Sequence, residues 1–368
     1  MNSPKNHNLL IVSLITILFL ISFIGNAQTA DFKVQHIQDD IEETGGTNTN
    51  FTAVNSLNST VELANNNRKV HAGANTNSGT LDGDDMSGAR QLTGVNTLTY
   101  YREAASKNRD MRFNTSLWEY IGPTGGGNEF IVRGRYTITL NGSTNSTTQA
   151  LTGITNAAKC IPFITGIMND ATKDDADSTT AIAYLENATT LRVQKGSDDN
   201  DVIIYITLVE FTGNNWTVLH GDSGNSNSDT GTVTLRNGSD GTGTATNVSS
   251  WNEAAIFSHF RGDNQDSGDN DAIADLWPVI KPGSNNQTVD WTFHSNHDSD
   301  GQNRHFVHVL INTGLNVTRF QNTSKNSGET AIDITTAGLS DVNQALIVGS
   351  STSSGMVQLM VEDGGITI

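Results

Sequence analysis

One cysteine, Cys160, stands in 368 residues, so no disulfide can form within the chain and a disulfide-stapled module is excluded. Its setting, Ala158-Lys159-Cys160-Ile161-Pro162-Phe163, is an apolar run that reads as a buried strand with a structural thiol. Charge is also scarce, at 16% of residues, and cations are scarcer than anions: 21 Lys and Arg against 39 Asp and Glu. A net charge of −18 repels phosphate backbones and excludes nucleic acid as a partner. No apolar run after residue 24 reaches the length of a membrane-spanning helix, so no span is expected in the mature chain. Catalytic signatures are missing too. There is no Gly-x-Ser-x-Gly elbow and no His-Glu-x-x-His. Thr124-Gly125-Gly126-Gly127-Asn128 is glycine-rich but lacks the Lys and Ser/Thr of a phosphate-binding loop. A non-enzymatic protein is expected.

Gly, Asn, Thr, Ser and Asp fill the space left by charge, as in exported β-proteins with polar loops. The first 27 residues read as a signal peptide: Lys5 and His7, an apolar run over residues 9–24, then Gly25-Asn26-Ala27 as a small-residue cleavage site before Gln28. An uncleaved anchor is the rival reading. No cysteine follows the run, so it offers no lipoprotein attachment. The expected location is the extracellular surface.

Beyond the leader, short β-branched and aromatic runs alternate with polar residues and are bounded by Gly, Asn, Asp and Ser. Tyr136-Thr137-Ile138-Thr139-Leu140 is one, and Val289-Asp290-Trp291-Thr292-Phe293 is another. Period-two alternation of this kind marks half-buried antiparallel strands. Helical stretches are few.

One strand motif occurs three times. Leu117-Trp118-Glu119-Tyr120-Ile121-Gly122 is echoed by Leu208-Val209-Glu210-Phe211-Thr212-Gly213 and, more loosely, by Val309-Leu310-Ile311-Asn312-Thr313-Gly314. The spacing of roughly 90–100 residues suits one β-sandwich per repeat. The fold class expected is therefore all-β, with tandem antiparallel β-sandwich modules of Ig-like or jelly-roll-like type. The expected boundaries are a partial module in 28–86, a short module in 87–142, full modules in 143–240 and 241–328, and a partial module in 329–368. Residues 60–64 and 69–73 read as the second half of a module with no first half before it. A half-sandwich leaves sheet edges unpaired. The two ends could join each other, or join those of neighbouring copies head-to-tail, or the chain could be a fragment. Val61, Leu63 and Val70 at one end, and Leu346 and Val348 at the other, are the candidates for strand exchange.

Four further groups of residues invite a chemical reading. Asn296, Asp298 and Asp300, followed by Gly301, place oxygen ligands at alternate positions as a calcium loop does, although Val307 stands where an EF-hand needs Glu. Calcium is the one cofactor considered, and a solvated turn is the alternative. His294, His297, His305 and His308 cluster in sequence, but His305 and His308 are three apart on a strand and point to opposite faces. Trp216, in Asn214-Asn215-Trp216-Thr217-Val218, is the candidate for an exposed sugar platform, whereas Trp118 and Trp291 alternate with apolar residues as core positions do. Asn141, Asn187, Asn237 and Asn286 head Asn-x-Ser/Thr sequons and are candidate glycan acceptors. Glu119 and Glu210 hold matching repeat positions, which speaks for a structural role, since a catalytic residue is needed once.

The repeated Trp/Val-Glu-Tyr/Phe strand and its Gly turn resemble secreted surface proteins of environmental bacteria and phages built from tandem β-sandwich modules. The resemblance covers most of the chain after the leader and implies an adhesive or structural role, without a site. The expected partners are further copies of the chain, neighbouring surface proteins, or glycans. A fibre subunit or adhesin is the first reading, and an extracellular carbohydrate-binding protein, calcium-assisted, is the second.

Overall fold

The computed structural model describes residues 31–41, 45–70, 88–102, 111–169, 180–196, 201–262, 278–293, 303–317, 333–335, 360–362 and 365–367. Among these the chain is all-β, as the alternation predicts. Three units of six strands follow one another. Unit 1 holds β1 (Phe32–Ile41), β2 (Gly46–Asn48), β3 (Thr60–Val70), β4 (Gly88–Gly94), β5 (Thr97–Tyr101) and β6 (Met111–Tyr120). Unit 2 holds β7 (Ile131–Leu140), β8 (Ser146–Ala150), β9 (Cys160–Asn169), β10 (Ala181–Asn187), β11 (Thr190–Lys195) and β12 (Val202–Glu210). Unit 3 holds β13 (Thr217–Asp222), β14 (Thr230–Thr234), β15 (Ala254–Arg261), β16 (Val279–Pro282), β17 (Thr288–Thr292) and β18 (Arg304–Ile311).

In every unit the first, sixth and third strands form one antiparallel sheet, and the second, fifth and fourth form the other. The orders are β1-β6-β3 with β2-β5-β4, β7-β12-β9 with β8-β11-β10, and β13-β18-β15 with β14-β17-β16. The chain crosses between sheets while pairing first strand with last and second with fifth. Of the two types expected, this winding is the jelly-roll-like one. Each unit closes over its own core. In unit 2 that core includes Ile138, Cys160, Leu191, Val193, Ile204 and Leu208. Phe113, Leu98 and Tyr100 lie in that of unit 1, and Val289, Trp291 and Val309 in that of unit 3. The buried thiol of Cys160 matches its expected role.

The sandwiches are also fused. The second sheet of unit 1 runs on into the first sheet of unit 2 where Gly88 and Ala89 pair with Ile167 and Gly166. The second sheet of unit 2 runs on into the first sheet of unit 3 where Ala181 pairs with Phe260. Gly166 is required at the first joint. A Cβ there would stand 2.2 Å from the Cα of Ala89, inside the paired backbone. Because of this fusion, β12 is buried on both faces, which accounts for its uninterrupted apolar sequence Val202-Ile203-Ile204-Tyr205-Ile206.

The repeat is present, but its phase differs from the sequence expectation. The expected boundaries at 86/87, 142/143 and 240/241 fall between β3 and β4, β7 and β8, and β14 and β15, inside the units. The strand that opens a unit pairs with the strand that ends it, so proximity along the chain does not mark the unit. Segment 60–70 is not an orphan half. It is β3, the counterpart of β9 and β15, and each is entered through a short 3-10 turn, at Leu57–Ser59, Ala157–Lys159 and Trp251–Glu253. Val61 and Leu63 are buried and pair with Trp118 and Ser116 of β6, and Val70 pairs with Met111. β3 is thus the third strand of the β1-β6-β3 sheet and not an unpaired half. Leu346 and Val348 lie outside the described residues, as does the expected signal segment. Beyond unit 3, β19 (Asp333–Thr335), β20 (Met360–Glu362) and β21 (Gly365–Thr367) form a separate three-stranded sheet.

Candidate functional site: the junctions between units

The outward faces of the three first sheets meet in a fourth core. Each sheet contributes a rung of three paired residues: Val34, Trp118 and Val61 from unit 1; Val132, Val209 and Ile161 from unit 2; Val218, Leu310 and Ala255 from unit 3. All nine lie in one apolar cluster. Aromatic rings fill its centre. Trp118 stands 5.4 Å from Phe32, 5.0 Å from Phe130 and 6.0 Å from Trp216, centroid to centroid, and Phe211 stands 5.2 Å from Trp216. Over this core the Asn128 side-chain oxygen accepts hydrogen bonds from Asn215 (2.9 Å) and Asn312 (3.0 Å), and its amide donates to Asp31 (2.7 Å). One side chain thus ties residues at the edges of all three units.

Trp216 therefore does not form a sugar platform. It is 1% exposed because the turn before β13 drives it into the shared core. Trp118 and Trp291 are core residues, as their alternation indicates.

The junction of units 1 and 2 is ionic. Glu62, fully buried on β3, accepts from Arg135 of β7 through Nε (3.1 Å) and Nη2 (3.0 Å), and from the Thr207 hydroxyl of β12 (2.6 Å). Arg135 also donates to the carbonyl oxygens of Leu57 (3.1 Å) and Thr60 (2.7 Å). Arg90, buried nearby, gives its Nη1 proton to the carbonyl of Asn114 (2.5 Å); burial lowers its pKa to about 10, against the raising influence of Tyr100 and Glu62.

The junction of units 2 and 3 is built differently. Strand register places Pro162 where unit 1 has Glu62, and His220 and His308 where unit 2 has Arg135 and Thr207. No carboxylate is offered, and the facing residues are histidines. His220 Nδ1 lies 2.9 Å from His308 Nδ1, and His220 Nε2 lies 3.0 Å from the carbonyl oxygen of Ala158. His259 Nδ1 meets the carbonyl of Ala183 at 3.2 Å. The His259 and His308 ring centroids are 5.2 Å apart. Burial lowers the pKa of His220 and of His259 to about 4, partly offset by those carbonyls. His308 is held well below the usual range by burial and then by its two histidine neighbours, against the raising influence of the Ala183 carbonyl. Among the described residues, no group of three or more His, Cys, Asp or Glu is placed to hold a metal ion. Arg304 and Asp222 close the same junction through paired contacts of 2.8 and 2.6 Å, with Arg304 reaching Gln194 of unit 2 at 2.6 Å.

The matching glutamates have a common task. Glu119 Oε1 accepts the backbone N–H of Asn55 (2.5 Å), and Glu210 accepts those of Thr155 (3.1 Å) and Asn156 (2.6 Å). Each satisfies amides at the entrance to a 3-10 turn, a use that recurs because the turn recurs. Glu210 is further held by Arg133 at 2.7 Å, whereas Glu119 Oε2 is buried without a partner.

His305 and His308 do face opposite ways. His305 stacks on Trp291 in the core of unit 3, while His308 faces unit 2. Asn296, Asp298 and Asp300 lie outside the described residues, as do His294 and His297. Asn141, Asn187, Asn237 and Asn286 are all exposed. The residues that sequence reasoning missed, Glu62, Arg135, His220 and His259, come together from strands far apart in the chain. The usable signal was their repeat position, once the correct phase is applied. Compared with known proteins, the chain matches no family model, and no curated protein is significantly similar to it.

Proposed function

We propose that this chain is a non-enzymatic structural protein of an exported surface, a fibre subunit or adhesin, in which three fused sandwiches act as one stiff body. The observation that supports this reading is the shared core. Residues from all three units meet in one aromatic cluster, and two sheets run unbroken across the unit joints. Large chemical investment in holding modules at fixed angles suits a part that transmits load or presents a surface. Because β3 is paired with β6 within its own unit, this reading places contacts between copies or with neighbouring surface proteins on the outer faces.

Electron microscopy and light scattering of the protein secreted by its expressing host test the reading. Ordered polymers, or retention on cells, are expected. A dispersed monomer that never associates with itself or with a surface contradicts it. Glycan recognition is the second reading, now without Trp216. What favours it is a groove of about 560 Å³ at the edge of unit 1, lined by Gln35, Asp39, Asn48, Asn50 and Thr52 with Phe51. Amides, a carboxylate and a hydroxyl are the groups that bind sugars. A glycan array run on the same secreted protein separates the two, because the structural reading expects no retention that depends on Asn50.

A further inference from the structure

We propose that the junction of units 2 and 3 is an acid-sensitive latch: its histidine cluster holds the two sandwiches together while neutral and releases them when protonated. The geometry carries this. His220, His259 and His308 come from three neighbouring strands, β13, β15 and β18, and all point to the face that rests on unit 2. His220 and His308 are fully buried, and their Nδ1 atoms share one proton at 2.9 Å. With His220 donating from Nε2 to Ala158, His308 must donate from Nδ1, and its Nε2 is then a buried lone pair, with the Ala183 carbonyl as the group that favours its protonated form. A proton added to His220 Nδ1 sets two N–H groups against each other, and one added to His308 Nε2 places a cation in the same dry contact.

The surroundings offer little to absorb that charge. From β10, unit 2 presents the Ala183 carbonyl and the Tyr184 ring, which stacks on Phe306. From the 3-10 turn before β9 it presents the Ala158 carbonyl, while Lys159 turns away to the carbonyl of Gly213 (2.9 Å). Asp240 is the acid that acts on His220 electrostatically, and Asp222 is already taken by Arg304. On β15 and β18, Phe257 and Phe306 complete the contact. The first junction, by contrast, is closed by Glu62, Arg135 and Thr207, with no histidine in that network among the described residues.

The sign follows from which state binds protons. A released histidine titrates near 6.5, and a latched one near 4 for His220 and His259. Latching is complete above about pH 6.5 and is lost as pH falls toward 4. Between pH 7 and 4.5 the opening equilibrium should rise on the order of 50-fold for each of these two histidines.

Hydrogen exchange on the intact protein at pH 7 and pH 4.5, corrected for intrinsic rates, is the test. Protection in β13, β15 and β10 should fall on acidification well before protection in β3 and β7. Equal loss at the two junctions, or none at the second, overturns the proposal. A His308→Gln protein should show a shallower pH dependence at the second junction and an unchanged one at the first. An unaltered pH dependence at the second junction in that variant also overturns it. If His308→Gln fails to fold, the wild-type comparison between junctions still decides.

Discussion

Replacing Trp216 by alanine should lower the unfolding free energy by about 3–5 kcal/mol, the range for removing a large aromatic from a packed core. The loss should appear in the stability of the whole chain. Trp216 is 1% exposed and packs against Trp118 and Phe32 of unit 1 and Phe211 of unit 2, although it belongs to the start of unit 3. Its removal opens a cavity that borders all three units. Trp216→Phe should cost much less, under about 1.5 kcal/mol, since the ring is largely kept. Phe32 and Phe130 occupy the matching positions in the other units, so a phenyl ring suits the geometry, and the indole Nε1 has no hydrogen-bond partner to lose. Urea denaturation followed by fluorescence of the remaining tryptophans measures both. If Trp216→Ala leaves probes in unit 1 unmoved, the core is not shared.

The second large effect is expected at Glu62. Glu62→Ala should cost about 3 kcal/mol, because it leaves the largely buried Arg135 without its counter-charge. Arg135 keeps the Leu57 and Thr60 carbonyls, but Thr207 loses its acceptor, and the nearby buried Arg90 loses an anion that helps keep it charged. Desolvation works in the opposite sense for the pair as a whole. A buried ion pair is often no more stable than apolar residues of the same volume. The double replacement Glu62→Leu with Arg135→Met should therefore recover most of the loss, measured in the same urea titration. A double variant as damaged as Glu62→Ala would show that the losses at Arg90 and Thr207, and not the unpaired Arg135, dominate.

The sequence showed the strands and the repeat clearly, because period-two alternation and a recurrent Glu on β6 and β12 are local signals. It did not show where a unit begins. In a jelly-roll winding β1 pairs with β6, and three of the four strands between them lie in the other sheet, so the strands that open and close a unit are far apart in sequence. The phase error made β3 look like an unpaired half and suggested strand exchange through Val61 and Leu63. The same error hid the junctions. Arg135 and His220 gain meaning only when they are seen to occupy one repeat position, opposite Glu62 in one case and Pro162 in the other. Trp216 misled for a different reason. Flanked by Asn214, Asn215 and Thr217, it looks exposed, and only the convergence of three sheets places it inside.

Whether the units form one body is decided most directly by calorimetry of the intact protein at neutral pH. A shared core with sheets running across both joints predicts a single unfolding transition, with calorimetric and van't Hoff enthalpies nearly equal. Three resolved transitions, or a calorimetric enthalpy about three times the van't Hoff value, would show independent sandwiches and contradict it.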